Sequence, residues 1–427
     1  MNLFIIKFQV KCGGCVGQQT LKDIFGVYIQ NLNPIFHEKN TLTDRHIPLI
    51  IEHREEQINT LAKILAPAIR DQKISNTFIF GNVGTGKTLV TKHVTAELAK
   101  NNPKINILYV NCKMRGVSDT EYRLLAELLG KLGKEVPSTG LPTTQLYKNF
   151  YTLLEETEKL NILILDEIDV IVKKIGDEIL YNLTRINQDL KKSTLSLIGI
   201  SNDVSFTEQL DPRVKSSLSE EELIFPPYNA MQLQNILTKR AETAFTLNTL
   251  SVGVIAKCAA LAAQEHGDAR KALDLLRIAG EIAERENSKQ IIISHVDCAE
   301  EKLDSDRTVE AVRTQPKQSL AVLASIILLS EEGKEDIQTG DVFEIYQKIC
   351  ANRGLKILTQ RRVSDLIGAL DMVGIINTHV ISKGRYGRTR EIRILLSQPI
   401  LKKIRTILED NYLFDGLGRY SKKKEGH

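Results

Sequence analysis

The segment that most constrains how this chain folds is residues 81–88, which read GNVGTGKT and fit the pattern G-x-x-x-x-G-K-[ST]. A short apolar run precedes it, and a stretch of helical composition follows it. In a strand-loop-helix arrangement, the loop N–H groups and the helix N-terminus point at one spot, where a polyphosphate binds. The pattern therefore predicts a nucleotide site, with Lys87 on the β- and γ-phosphates and Thr88 on Mg²⁺. The predicted contacts with ATP or ADP come from Val83, Gly84, Thr85, Gly86, Lys87 and Thr88.

Length and composition set the frame around this motif. A chain of 427 residues is expected to hold two or three domains, and 42% hydrophobic with 26% charged residues is typical of a soluble globular protein. No apolar run reaches the roughly 18–20 residues that span a bilayer, so we expect a cytoplasmic protein with no membrane partner. The six cysteines are scattered apart from Cys12 and Cys15, which argues against a disulfide framework.

The hydrophobic pattern predicts an α/β fold class for the first half of the chain. Short apolar runs at 78–80, 105–110, 162–165, 195–200 and 223–225 alternate with helical segments. Such alternation implies a parallel sheet with helices on both faces. A helix is expected ahead of the P-loop, and residues 111–160 leave room for at least two more.

The rest of the chain reads as two further units. After Pro226-Pro227 the pattern is wholly helical to residue 303, residues 304–316 read as a polar linker, and the remainder reads as helices that end in a hairpin. The expected domains are an extension at 1–32, the α/β domain at 33–227, a helical domain at 228–304 and a DNA-binding domain at 317–410.

Two acids end the apolar run LILDE. Asp166 and Glu167 are expected at the carboxyl end of a buried strand, where open α/β sheets bind ligands. We predict that Asp166 completes the Mg²⁺ shell with Thr88 and that Glu167 activates the attacking water. The alternative is a pair of solvated acids that begin a helix.

Three other polar residues extend the predicted catalytic set. Asn202 ends the next apolar run and can bond the γ-phosphate or the water, although an asparagine there also suits a turn. Arg213 follows Pro212 on the far side of the domain, where it can act as an arginine finger towards a neighbouring molecule or serve only as a surface residue. Arg270 begins an amphipathic helix, from which it can project to the phosphates. Tyr228 and Arg240 flank the junction between the α/β domain and the helical domain, where they can cover the adenine side of the nucleotide pocket.

The C-terminal unit reads as a winged helix-turn-helix. Val363, Leu366, Ile367 and Leu370 share one helical face, and arginines lie on the other, as suits a major groove. The hairpin that follows has a Gly-rich tip with five basic residues and one acid between 383 and 393. Its predicted target is a phosphate backbone or a minor groove. The DNA contacts expected here are Thr359, Gln360, Arg361, Arg362, Lys383, Arg385, Tyr386, Gly387, Arg388 and Arg390.

The ordered set GNVGTGKT, LILDE, GISN, LDPRVKSSL, FPPYNAMQLQNIL and GDARKALDLLR resembles the AAA+ ATPases of the archaeal origin-recognition and replicative-helicase-loader family. The resemblance covers residues 33–395 and implies an AAA+ domain, a lid and a winged helix domain. It implies that Asn202 is sensor 1, Arg213 the arginine finger and Arg270 sensor 2. By the same resemblance Tyr228, Arg240 and Arg54 contact the nucleotide, and the insertion that contains Arg115 contacts DNA.

Three functions are compatible with this sequence. The first is a replication initiator with weak, switch-like ATPase activity, which binds double-stranded origin DNA, associates with the nucleoid and recruits or loads the replicative helicase. By the resemblance, it assembles on DNA with copies of itself or with paralogous initiators. The second is a transcription regulator in which the nucleotide only stabilises the fold. The third is a remodelling or signalling ATPase whose winged helix binds protein, and it predicts DNA binding no better than charge alone explains.

Overall fold

The structure is a computed structural model of the whole chain. It describes residues 35–43, 46–48, 50–114, 120–137, 140–218, 221–334, 337–382, 388–394, 396–411 and 413. The chain divides into two compact units between Val296 and Asp297. The predicted extension 1–32, including Cys12 and Cys15, lies outside the described residues, as do Arg115, Lys383, Arg385, Tyr386 and Gly387.

The first unit is built on a five-stranded sheet of order β2-β3-β4-β1-β5, in which every neighbouring pair is parallel. Its strands are β1 Thr77–Gly81, β2 Ile105–Asn111, β3 Leu160–Asp166, β4 Thr194–Ser201 and β5 Glu221–Phe225. The five strands predicted from the apolar runs are thus confirmed, each extended by one to three residues at its ends. Asp166 lies in register with Asn111 and Ile200, so the carboxyl ends of β2, β3 and β4 meet at one edge.

Helices cover both faces of this sheet, as the alternating pattern predicted. One face carries α1 Glu55–Leu65 and α2 Lys87–Asn101. The other carries α3 Glu121–Lys131, α4 Thr143–Thr157, α5 Ile168–Ile175, α6 Glu178–Arg185 and α7 Pro212–Leu218. Strand residues alternate between the two cores: Leu163 and Leu165 pack on the second face, and Ile162 and Ile164 on the first. Short 3-10 helices lie at Lys39–Leu42, Ala66–Arg70, Ile186–Gln188 and Phe206–Gln209.

A helical bundle follows β5 in the same unit. It consists of α8 Ala230–Ala244, α9 Val254–Gln264 and α10 Ala269–Arg285. Asn229 begins α8 with a capping box to Gln232, which satisfies N–H groups that the helix start leaves without a partner. The segment at 35–42 packs on this bundle: Phe36 stacks on Phe245 with ring centroids 5.0 Å apart, and the His37 N–H donates to the Ala244 carbonyl at 2.8 Å.

The expected linker at 304–316 is wrong. Helix α11 runs without a break over Ile293–Arg313, because this stretch contains no Gly or Pro and its polar residues form a solvated face. Val309 and Val312 are buried, and Val312 belongs to the apolar core of the second unit. The polar composition therefore belongs to the outer side of a helix. This helix ends at Arg313, and the next one begins after Pro316.

The second unit packs helices against a small sheet. Its other helices are α12 Lys317–Glu331, α13 Thr339–Arg353, α14 Gln360–Met372 and α15 Gln398–Asp410, and its strands are β6 Ile337–Gln338, β7 Asn377–Ser382 and β8 Arg388–Arg393. The predicted hairpin is the antiparallel pair of β7 and β8, and β6 adds a third strand on the other side of β8. The expectation that the unit ends in the hairpin is wrong, because α15 follows it and buries Ile404 and Leu408 in the core. No helix among the described residues is long and apolar enough to cross a membrane.

Candidate nucleotide site and candidate nucleic-acid interface

The predicted P-loop connects β1 to α2 at the carboxyl edge of the sheet. Gly84 has φ +71° and Gly86 has φ +91°, left-handed values that residues with a Cβ rarely adopt. Gly86 is the N-cap of α2, and Thr85 is buried with its hydroxyl donating to the Asn82 carbonyl at 2.9 Å. Val83 lies half-exposed at the tip. The sequence therefore folds as the strand-loop-helix unit that the motif requires.

Lys87 is buried at the centre of this loop. Its Nζ donates to the carbonyls of Gly81 and Asn82, both at 2.7 Å, and to Asn202 Oδ1 at 2.9 Å. Burial lowers the pKa of Lys87 to about 8, an effect that the nearby Asp166 opposes and Arg270 reinforces. Asn202, predicted from the end of the neighbouring strand, thus lies in direct contact with the P-loop lysine.

Thr88 and Asp166 lie side by side, as the predicted Mg²⁺ pair requires. The Thr88 hydroxyl donates to Asp166 Oδ2 at 2.8 Å, and the Tyr109 hydroxyl donates to the same oxygen at 2.7 Å. A hydroxyl and a carboxylate suit a hard cation that takes its other ligands from water and substrate phosphates. The described residues contain no cluster of three or more His, Cys, Asp or Glu side chains that could hold a metal by themselves.

Glu167 occupies a strained position between β3 and α5. Its backbone adopts φ 57° and ψ 47°, an uncommon conformation for a residue with a side chain, and such strain concentrates at functional sites. Its carboxylate lies 3.4 Å from the ammonium of Lys113, which follows β2. No sequence pattern pointed to Lys113, because only the pairing of β2 with β3 brings the two residues together.

Arg54 holds the loop from the side of α1. Its guanidinium donates to the carbonyls of Thr85 at 2.9 Å and Pro226 at 2.6 Å, and lies 3.7 Å from the Tyr228 ring centroid. Burial lowers the pKa of Arg54 and raises that of Tyr228. A Cβ on Gly86 would lie 3.0 Å from the Tyr228 hydroxyl, so Tyr228 borders the loop. Arg54 thus joins the loop to the hinge after β5, and its direct contact with a nucleotide stays a prediction.

The helical bundle touches the P-loop through the start of α10. The Ala269 N–H donates to the Gly84 carbonyl at 3.2 Å, and the Asp268 carboxylate caps α10 by accepting from the Arg270 N–H at 2.8 Å. A Cβ built on Gly84 would lie 1.7 Å from Asp268 Oδ1, so only glycine allows this approach. Arg270 is thereby placed near enough to Lys87 for its charge to act there. Asp268 is a contact that the sequence analysis missed.

Two predicted residues lie apart from this cluster. The Arg240 guanidinium donates to the carbonyls of Thr41 at 3.2 Å and His46 at 3.4 Å, so it fastens α8 to the N-terminal segment, and burial lowers its pKa. Arg213 begins α7 with its side chain 84% exposed, and it pairs with Asp211 at 3.1 Å. The structure therefore brings Lys87 into contact with Asn202 and Thr88 into contact with Asp166, a group called the P-loop cluster below, and leaves Arg213 on the surface.

The helix α14 carries the second predicted surface. Thr359 is its N-cap and accepts from the Arg362 N–H at 3.4 Å. Val363, Ile367 and Leu370 are buried in the core of the second unit, whereas Gln360, Arg361 and Arg362 are exposed. The predicted separation of an apolar face from a basic face is confirmed.

The hairpin beside α14 supplies basic residues from a second element. Arg388 and Arg390 lie on β8, with Arg388 opposite Ser382 and Arg390 opposite Val380. The tip at 383–387 is outside the described part of the chain. Helix α14 with the strands β7 and β8 is called the helix-wing surface below.

A P-loop α/β domain followed by a helical lid and a winged helix-turn-helix unit defines the class of AAA+ nucleotide-binding proteins with a C-terminal winged helix domain. Three family models match the chain in that order. The "AAA domain" matches residues 70–204, the "Cdc6 AAA+ ATPase-type lid domain" residues 234–301, and the "CDC6, C terminal winged helix domain" residues 310–403.

Relatives match over nearly the whole chain. The ORC1-type DNA replication protein of Pyrococcus furiosus is 50% identical over 399 residues, which cover 92% of this chain and 94% of the relative. ORC1-type DNA replication protein 1 of Methanosarcina mazei is 52% identical over 382 residues, which cover 88% and 91%. The chain belongs to the family of ORC1-type DNA replication proteins.

Solved structures agree with this assignment. The Aeropyrum pernix ORC1 protein in complex with DNA superposes with a TM-score of 0.79 at 41% identity, covering 90% of this chain and 99% of that one. The Pyrobaculum aerophilum Cdc6p structure, with a TM-score of 0.55 at 19% identity and coverage of 88% and 99%, shares the fold.

Proposed function

We propose that this protein is an ATP-dependent replication initiator that binds double-stranded origin DNA and helps to recruit or load the replicative helicase. The observation that carries the proposal is the occurrence of both sites, the P-loop cluster and the helix-wing surface, in a chain 50% identical to an ORC1-type replication protein over 92% of its length. Such a protein acts at the nucleoid, alone or with further initiators on the same DNA.

The nucleotide proposed for the first site is ATP or ADP with Mg²⁺. Lys87 would exchange its contacts with the Gly81 and Asn82 carbonyls for phosphate oxygens, and the P-loop N–H groups would bind the same phosphates. Thr88 and Asp166 would hold Mg²⁺, which neutralises phosphate charge when bound. Tyr228, Arg54 and Arg240 would shape the base side of the pocket through the hinge and the N-terminal segment.

The proposed hydrolysis is slow and acts as a switch. Glu167 would orient and deprotonate the attacking water, while Asn202 and Arg270 would bind phosphate oxygens around it. Arg213, exposed on the surface, would reach the nucleotide of a neighbouring molecule. The 3.4 Å pairing of Glu167 with Lys113 supports this assignment, because it places the carboxylate at the sheet edge where Asp166 ends β3.

Replacing Glu167 with Gln tests the hydrolysis. Turnover of ATP should fall by roughly 100-fold or more, the range expected for loss of a general base, while nucleotide affinity stays within about twofold. The Glu178→Gln variant, which changes an exposed glutamate on α6, is the matched control and should turn over ATP at the wild-type rate. Wild-type turnover in E167Q would remove Glu167 from the mechanism.

The DNA site proposed for the second unit is the helix-wing surface. Gln360, Arg361 and Arg362 would enter the major groove, and Arg388 and Arg390 with the predicted tip residues would contact phosphates or the minor groove. Arg115 would add a contact from the AAA+ domain, so that part of the selectivity would come from duplex shape.

A DNA titration with the R361A/R362A variant tests this site. Its affinity for duplex DNA should fall at least about tenfold, with a shallower dependence of affinity on salt. The R285A/R313A variant removes the same charge from exposed positions on α10 and α11 and should bind as the wild type does. Equal affinities for the two variants would favour a winged helix that binds protein. Binding at many promoters instead of replication origins in cells would favour the transcription regulator.

A further inference from the structure

The helix α14 contains a glycine where its own stability favours another residue. Gly368 lies in the middle of Gln360–Met372 and has no left-handed backbone to explain it. A mid-helix glycine weakens a helix relative to alanine. A glycine in the middle of a helix therefore indicates that a contact with another element requires the absence of a side chain there.

The face of α14 that carries Gly368 is turned towards the hairpin. Val363, Ile367 and Leu370 point into the core, and Gly368 and Asp371 lie on the adjacent half-buried face. Asp371 accepts hydrogen bonds from the Thr378 N–H at 3.1 Å and from the Thr378 hydroxyl at 2.8 Å, which fixes the start of β7 to the helix. One turn before Asp371, the side chain of Arg390 reaches Gly368 from the hairpin.

The group that occupies the space over Gly368 is the guanidinium of Arg390. A Cβ built on Gly368 would lie 2.6 Å from Arg390 Nη1, 3.4 Å from Nη2 and 3.5 Å from Cζ. Any larger side chain would displace the guanidinium from the helix. Gly368 thus allows an arginine of the wing to pack against the proposed recognition helix.

Arg390 keeps its hydrogen-bond donors available. Among the residues that the structure describes, its guanidinium has neither a hydrogen bond nor an ion pair. Two nearby acids pair with other arginines: Glu391, the next residue on β8, with Arg393 at 2.7 Å, and Asp365, three residues before Gly368 on α14, with Arg362 at 3.8 Å. A half-buried guanidinium held by packing, with unused donors, is arranged in advance for an external phosphate.

We propose that Gly368 is a positioning residue for DNA binding, which docks Arg390 on α14 so that helix and wing present one fixed set of cations to the same duplex. The proposal rests on the DNA-binding function proposed above. It assigns the partner of Arg390 as a backbone phosphate, because a guanidinium with unused donors matches the geometry of phosphate oxygens. The benefit is preorganisation: Arg390 loses less side-chain freedom on binding.

The test is a double-mutant cycle on the full chain with a short duplex of mixed sequence. G368A should bind roughly tenfold more weakly than the wild type, as expected for loss of one charge-assisted contact, and its plot of log affinity against log salt should be shallower by about one unit. R390A should show the same loss and slope. In the R390A background, adding G368A should change nothing further, because the residue that Gly368 positions is already gone.

The G340A variant is the matched control. Gly340 lies in α13, and a Cβ there would meet nothing within 4 Å. G340A should bind DNA as the wild type does. If G368A also binds at wild-type affinity, or weakens binding equally with and without Arg390, Gly368 does not position Arg390 and the inference is wrong. Wild-type affinity in R361A/R362A would instead overturn the proposed DNA site itself, so the two failures are distinguishable.

Discussion

Lys87 shows how burial gives a single residue a property that its motif does not reveal. The sequence assigns it to the phosphates, and the structure adds a pKa of about 8, well below the ordinary value for a lysine, because the ammonium is buried. Part of the free protein therefore carries a neutral lysine just above pH 8. A bound polyphosphate favours the charged form and raises this pKa.

Nucleotide binding should therefore take up protons above pH 8. Affinity for ADP should fall as the pH rises from 8 to 9.5, because the neutral lysine must first gain a proton. Calorimetric titration at pH 8.5 in two buffers of different ionisation enthalpy should show uptake of a substantial fraction of one proton. The K87R variant, whose guanidinium stays charged, is the control and should show much less uptake. Equal uptake by both proteins would place the titrating group elsewhere.

At the scale of elements, the P-loop and the start of α10 pack closely against each other. The Gly84 carbonyl accepts from Ala269, and the Asp268 carboxylate lies where a Cβ on Gly84 would be. The lid is thus in contact with the P-loop. A change in loop conformation on nucleotide binding must therefore move this contact or be opposed by it.

The G84A variant tests this pairing. Both Gly84 and Gly133 have left-handed backbones, at φ +71° and φ +89°, but a Cβ on Gly133 would meet nothing within 4 Å. G133A should lower the free energy of unfolding by roughly 1 kcal/mol through backbone strain alone. G84A should cost a further roughly 1–3 kcal/mol from the collision with Asp268, and should weaken ADP binding, which G133A leaves unchanged.

Chemical unfolding and ADP titrations of G84A and G133A measure whether the close approach of Asp268 to Gly84 matters for stability and for ADP binding. Adding D268A to G84A should recover part of the lost stability, because the smaller side chain leaves room for the new methyl group. Equal losses in G84A and G133A would mean that the lid moves aside without cost.

At the scale of the whole molecule, the two proposed sites lie in different compact units, the P-loop cluster in the first and the helix-wing surface in the second. The sequence predicted a polar linker at 304–316. The structure instead assigns most of it to α11, with Val309 and Val312 buried. Residues 304–313 are therefore part of a helix.

A proline substitution in α11 distinguishes the helix seen in the structure from the predicted linker. Arg307 is an exposed residue in the middle of Ile293–Arg313. R307P should destabilise the protein by about 3 kcal/mol, since a proline inside a helix removes a hydrogen bond and clashes with the preceding turn. R307A should change the stability by less than about 0.5 kcal/mol. Because the chain has no tryptophan, far-UV circular dichroism during urea unfolding is the suitable measurement. Equal urea midpoints for R307P and R307A would instead support the predicted linker.

The sequence by itself determined the parts that depend on neighbours along the chain. The five parallel strands, the P-loop, the acids at the end of β3 and the two faces of α14 all follow from local pattern, because periodicity and glycine placement act within one element. The position of Asn202 beside the end of β3 was also predictable, since parallel strands end together, whereas its contact with Lys87 was not predicted.

Only the tertiary structure decided which side chains meet across elements. Lys113 beside Glu167, Asp268 over Gly84, Arg54 on the Pro226 carbonyl and Arg390 on Gly368 each join residues distant in sequence. No local pattern encodes such pairs, because they arise when packed surfaces exclude water and leave one arrangement that satisfies the buried polar groups. The sequence thus predicted the motif residues of each candidate site, whereas the contacts that position those residues depend on the tertiary fold.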